Sequence, residues 1–156
     1  MKDILAETYF GVDVEKTMTL MDAINVLRAH DLLNIGELAE RAISVQSGVE
    51  MCSKNSPNID LVSGHQIKHA TVKKPASSDY YAAYVTINTT APILCVITNP
   101  IEKEQYFLHI PYSAHRHLSG SCISILFGKD GRSSTSKWWN YEVDSFAELC
   151  KIARNA

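Results

Sequence analysis

The chain has 156 residues, 46% hydrophobic and 21% charged, with a formal net charge of −2. That profile fits a folded globular domain with a core of its own and excludes a disordered chain. A near-neutral total also argues against a uniformly basic nucleic-acid coat.

Thr19-x-x-Asp22 opens a first predicted helix, with Leu20, Ala23, Ile24 and Leu27 at helical spacing, running to about His30. Asn34-x-x-Glu37 opens a second, whose buried stripe is expected to be Leu38, Ala39, Ala42, Ile43 and Val45 and which ends at Ser47-Gly48. Asn55 to Asn58 reads as a loop. Ile59 to Val62 reads as a short strand, Ser63-Gly64 as a turn, and Gln66 to Val72 as the returning strand. Lys73 to Ser78 is a basic loop. Asp79 to Asn88 admits either a helix capped by Ser78 or a strand. Ile93 to Thr98 is a buried strand, Gln105 to Ile110 its hairpin partner, Pro111 to Leu118 irregular or a short helix, and Cys122 to Phe127 another strand. Gly128 to Ser136 is a polar loop. A last helix starts at Ser145-x-x-Glu148, with Phe146, Leu149, Cys150 and Ala153 as its apolar stripe. Helices at both ends of a strand-rich middle make a single α/β or α+β layered domain over residues 1–156.

Several classes lose support. No apolar run follows Met1 as a signal peptide would, and none approaches the about 18 residues of a membrane span. Cys52, Cys95, Cys122 and Cys150 are far apart, as suits reduced thiols in a cytoplasmic protein. Neither a P-loop, a G-x-G-x-x-G nor a G-x-S-x-G occurs. His109, His115, His117 and Cys122 do not match the usual spacing of paired zinc ligands.

Charge is unevenly spread. Residues 1–60 carry 5 Lys/Arg against 10 Asp/Glu, a net of −5, and residues 61–156 carry 10 against 7, a net of +3, with five of the six histidines. The basic part suggests an anionic partner. Lys73, Lys74, His115, Arg116, His117, Lys129, Arg132 and Lys137 form a candidate set of backbone contacts to double-stranded DNA.

The stretch Asp60-Leu61-Val62-Ser63-Gly64-His65-Gln66-Ile67-Lys68 carries the candidate chemistry. Gln66 and Lys68 share one face of a strand. With a three-residue hairpin loop Asp60 falls opposite Lys68 on that same face; with a two-residue loop it faces the other way. Asp60, the Gln66 amide oxygen and the Ile67 carbonyl are hard oxygen donors suited to Mg²⁺, with Mn²⁺ a possible substitute. Lys68 can orient a water and stabilise charge on a phosphoryl transition state. Together these groups would hydrolyse a phosphodiester.

The chain here resembles the PD-(D/E)xK nuclease superfamily, the restriction-endonuclease-like group. The carrying pieces are Gly36-Glu37-Leu38-Ala39-Glu40, then Pro57-Asn58-Ile59-Asp60, then Gln66-Ile67-Lys68. Glutamine in place of the acid is similar to the QxK variant of Mrr-type enzymes. The resemblance implies a mixed central β-sheet flanked by helices, Glu40 as the helix glutamate and a further metal ligand (with Glu37 a second candidate), and a type II restriction-like endonuclease leaving a 5′-phosphate and a 3′-hydroxyl. It also implies a crossover helix, which only the helical reading of residues 79–88 would supply. One site per chain makes a homodimer the expected arrangement for cutting both strands. The alternatives are a degenerate DNA-binding module, a structure-selective nuclease, and a protein-interaction domain.

Overall fold

A computed structural model describes residues 34–53, 56–76, 79–128 and 131–156. The predicted helix over Thr19–His30 lies outside them. Contacts divide the chain into two units, Met1–Leu38 and Ala39–Ala156.

Helix α1 spans Ile35–Ser47. Asn34 caps it, its Oδ1 accepting from the Glu37 N–H at 3.2 Å. Gly48, at φ 72°, ends it in the left-handed conformation that glycine adopts without strain. The buried residues are Ala39, Ile43 and Ser47. The expected stripe is therefore corrected: Leu38, Ala42 and Val45 are exposed, Val45 at 83%. The i, i+4 spacing fits Leu38 and Ala42 as well as Ala39, Ile43 and Ser47, and packing puts the second set on the face turned to the core.

Among the described residues seven strands follow: β1 Gln66–Thr71, β2 Tyr81–Thr86, β3 Ile93–Asn99, β4 Glu104–Ile110, β5 Cys122–Gly128, β6 Gly131–Arg132 and β7 Glu142–Val143. A short helix α2, Tyr112–His115, follows β4, and a 3₁₀ turn, Lys137–Tyr141, leads into β7. Helix α3, Phe146–Arg154, closes the chain, and Ser145 Oγ accepts from the Glu148 N–H at its start.

The strands form two sheets. One is mixed, in the order β1-β3-β4-β7, with β1 parallel to β3 and the other pairs antiparallel. The second is antiparallel, β2-β5-β6. The mixed α+β class expected from the sequence is the class observed. Residues 79–88 hold no crossover helix: they form β2, which belongs to the second sheet. Ala83, Val85 and Ile87 are buried while Tyr84 and Thr86 are exposed, a period of two that no helix satisfies. The polar stretch 128–136 also contributes β6.

Alternation along the mixed sheet builds two cores. Ala70, Val72, Ile93, Cys95, Ile97, Leu108 and Ile110 pack towards Ala83, Val85, Ile125 and Phe127 of the second sheet. Ile67, Leu94 and Val96 form a cluster with Ala39 and Ile43 of α1, Leu149, Cys150 and Ala153 of α3, and Leu61. Arg154 ties the helices together, donating to the Ser47 and Gln46 carbonyls where α1 ends.

Candidate active site

Strand β1 lies at one edge of the mixed sheet. The Gln66 N–H donates to Pro92 and the Val72 N–H to Thr98, on the β3 side. In a parallel ladder the intervening residues turn their backbone groups the other way. The Ile67 N–H accordingly points to the open edge, where it donates to Asp60 Oδ2 at 2.7 Å. Gln66 Nε2 donates to the same oxygen at 2.5 Å. The Ile67 carbonyl shares that edge.

The expected hairpin is corrected. Ile59–Val62 does not run as a strand along β1. The Asp60 and Leu61 N–H groups both donate to the His65 carbonyl, and Gly64 N–H, at φ 87°, donates to the Leu61 carbonyl. Leu61 bridges instead to Met51. Buried Leu61 anchors this tight turn in the core. Asp60 therefore meets Gln66 and Ile67 and is not the cross-strand partner of Lys68.

Lys68 points to the same side of the sheet as Gln66, and its Nζ donates to Asn88 Oδ1 at 2.7 Å. It pairs in register with Cys95, whose thiol burial pushes up to about 12, with the Lys68 charge pulling the other way. Glu40 is half-buried on α1, next to Ala39, whose cluster includes Leu61 and Ile67.

Asp60, Gln66 and Ile67 are thus brought together, with Lys68 one strand repeat further on. Gln66 turns its amide N–H₂, not its oxygen, toward Asp60. Among the described residues no group of three or more His, Cys, Asp or Glu is arranged to hold a metal.

The segment after β2 was not foreseen. Thr89, 4% exposed, donates through Oγ1 to the Asn58 carbonyl at 2.6 Å and accepts from the Ala91 N–H. The Ala91 carbonyl in turn accepts from His115 Nε2 at 3.0 Å, which fixes the proton on that nitrogen. His115 is fully buried. Its place among the DNA contacts is corrected: α2 turns the ring inward, where it pins residues 88–92. Asn88-Thr89-Thr90, a polar run between two apolar strands, was the available signal.

Lys73, Lys74, Arg116, His117 and Lys137 are exposed. Lys73 pairs through its backbone with Ala82 at one end of β2. Arg116 and His117 enter the loop whose Gly120 N–H donates to Ile87 at the other end. Arg132 is committed to Glu142, through Nε at 2.8 and 2.6 Å and through Nη2, and it lies over the Tyr106 and Trp139 rings. Lys129 lies outside the described residues.

A separate cleft of about 730 Å³ is lined by His65, His109, Pro111, Tyr112 and Lys151, among others. The His65 and His109 rings meet edge to face at 5.8 Å. Burial lowers both pKa values, and for His65 the neighbouring His109 lowers it further.

No protein-family model and no curated protein sequence matches this chain. Among solved structures, a bacterial homing endonuclease is similar over 77% of this chain and 89% of that one, at 15% identity and a TM-score of 0.43. A likeness of that size assigns neither residues nor chemistry.

Proposed function

We propose that this chain is a metal-dependent DNA endonuclease that hydrolyses phosphodiester bonds at Asp60, Gln66, Ile67 and Lys68. The observation that carries the reading is the shared contact of Asp60 Oδ2 with the Gln66 amide and the Ile67 N–H, with Lys68 on the same strand face as Gln66. Asp60, the Ile67 carbonyl and the Gln66 side chain would hold Mg²⁺, or Mn²⁺ in its place, with Glu40 a further ligand. A half-turn of the Gln66 amide exchanges its N–H₂ for its oxygen, so a cation arriving at Asp60 finds a second oxygen. Bound there, Mg²⁺ supplies Lewis-acid activation of water and neutralises phosphate oxygens.

The chain's own groups do the rest. Lys68 Nζ donates to a non-bridging phosphate oxygen and stabilises the negative charge that develops on the phosphoryl oxygens. The Ile67 N–H restrains the Asp60 carboxylate whichever way the Gln66 amide is turned. Lys73, Lys74, Arg116 and His117 offer phosphate contacts at the two ends of β2, and Lys137 extends the basic set. Two copies, arranged as a homodimer, would cut both strands. Restriction-like and structure-selective variants of the activity share this chemistry.

Supercoiled plasmid incubated with the protein and Mg²⁺ tests the reading. Nicking or linearisation is expected from wild type, is lost from Asp60→Ala, and falls about a hundredfold, to a slow measurable rate, in Lys68→Ala. Cleavage at the wild-type rate in both variants, or its absence from wild type, overturns it. One observation favours a second reading, DNA binding without cleavage: Gln66 stands where an acid would add charge, leaving Asp60 the sole carboxylate of the turn. Salt-dependent plasmid binding with no cleavage in Mg²⁺ or Mn²⁺ supports that reading instead.

A further inference from the structure

We infer that Asn88 is a positioning residue for Lys68, an inference that rests on the nuclease reading above. Lys68 projects from an edge strand on a flexible four-carbon stem, and its ammonium has many places to go. Asn88 Oδ1 accepts from it at 2.7 Å across a separation of 20 residues, joining the mixed sheet to the second sheet.

The acceptor is itself held. The Ile87 N–H donates to Ser121, and the Ile87 carbonyl accepts from Gly120, so the ladder runs to the residue before Asn88. Just after it, buried Thr89 bonds the Asn58 carbonyl, two residues before Asp60. The Ala91 carbonyl is held by His115, and the Pro92 carbonyl accepts from the Gln66 N–H. Residues 88–92 therefore touch the candidate site at three points: the Lys68 ammonium, the chain entering Asp60 and the backbone of Gln66. The chemistry of the acceptor suits the task. A carboxylate at position 88 would neutralise the ammonium in an ion pair. The neutral amide takes one N–H and leaves the full charge and two donors for a phosphate or water.

The test uses the full chain in steady-state plasmid cleavage with Mg²⁺, comparing wild type, Asn88→Ala, Lys68→Ala and the double variant. Asn88→Ala is expected to lower kcat about tenfold with KM within about twofold, because a misplaced group costs rate and not substrate binding. In the Lys68→Ala background the same change is expected to cost nothing further. Asn88→Ser, too short to span the gap, is expected to behave as Asn88→Ala. Melting curves establish that each variant is folded. If wild type cleaves and Asn88→Ala keeps its kcat, the positioning role is overturned and the nuclease reading stands. An equal tenfold loss on top of Lys68→Ala also overturns it, since Asn88 would then act by another route. If wild type does not cleave, the nuclease reading falls and this inference falls with it.

Discussion

Replacing His115 probes the packing that holds residues 88–92. The ring is fully buried, its Nε2 donates to the Ala91 carbonyl, and its Nδ1 is buried with no partner among the described residues. His115→Ala removes a buried ring, worth about 3 kcal/mol for large-to-small changes. It also strands the nearly buried Ala91 carbonyl, at about 1–3 kcal/mol, while deleting the unpaired Nδ1 returns about 1 kcal/mol. The expected net loss is about 3–5 kcal/mol. His115→Phe keeps an aromatic ring, somewhat larger than imidazole, and deletes the orphan nitrogen; the stranded carbonyl and mild overpacking leave an expected loss of about 1–2 kcal/mol. Urea unfolding followed by the fluorescence of Trp138 and Trp139 reads both. At an m of roughly 2 kcal/mol/M the Ala midpoint falls by about 2 M and the Phe midpoint by less than half of that. Equal losses for Ala and Phe would refute the packing half of the argument. A Phe variant as stable as wild type would refute the hydrogen-bond half.

Arg132→Ala is expected to cost about 1 kcal/mol of stability, since it breaks a part-exposed bidentate pair with Glu142, and to leave the salt dependence of DNA binding unchanged. Lys73→Ala and Arg116→Ala are expected to do the reverse, each lowering the salt slope by about 1 with little effect on the melting temperature. His65 and His109 have folded pKa values below the ordinary 6.5, so below that pH the unfolded chain takes up protons that the folded chain refuses. Stability is therefore whole above pH 6.5 and declines as pH falls through the lowered values. Urea midpoints from pH 7.5 to 5 should show the decline and should flatten in a His65→Gln/His109→Gln double variant; an unaltered slope there contradicts it. Cys122 is exposed and Cys95 is buried with its thiol pushed up to about 12. A thiol reagent at pH 8 should label Cys122 within minutes and Cys95 only on unfolding, and early labelling of Cys95 would contradict the register of β3.

Strong local signals in the sequence led directly to structure. The ILCVIT run became β3, and the Ser145 box capped α3 as its spacing predicted. Asn34 does the same for α1, and Ala39 and Ile43 of its expected stripe are buried, but Leu38, Ala42 and Val45 are exposed although they are as apolar as the residues that face the core. For 79–88, tyrosines and β-branched residues left helix and strand both open. Burial of Ala83, Val85 and Ile87 against the mixed sheet decides for strand, a tertiary effect that local propensity does not carry. At the site, the residue types near Asp60, Gln66 and Lys68 were legible. The geometry joining them was not, since a tight turn and an edge strand are set by backbone hydrogen bonds. The polar run at Asn88 and Thr89 is visible in the sequence but what it bonds is not, since the partners lie 20 and 31 residues away.

A divalent cation held at the Asp60 turn is the central claim. Mn²⁺ titrated into ¹⁵N-labelled protein broadens amide signals near it, steeply more the closer they lie. Early broadening is expected of the Ile67 backbone amide and the Gln66 side-chain amide, and its loss in Asp60→Ala. Broadening centred elsewhere, such as the Glu102–Glu104 turn, with Ile67 and Gln66 untouched, would contradict it.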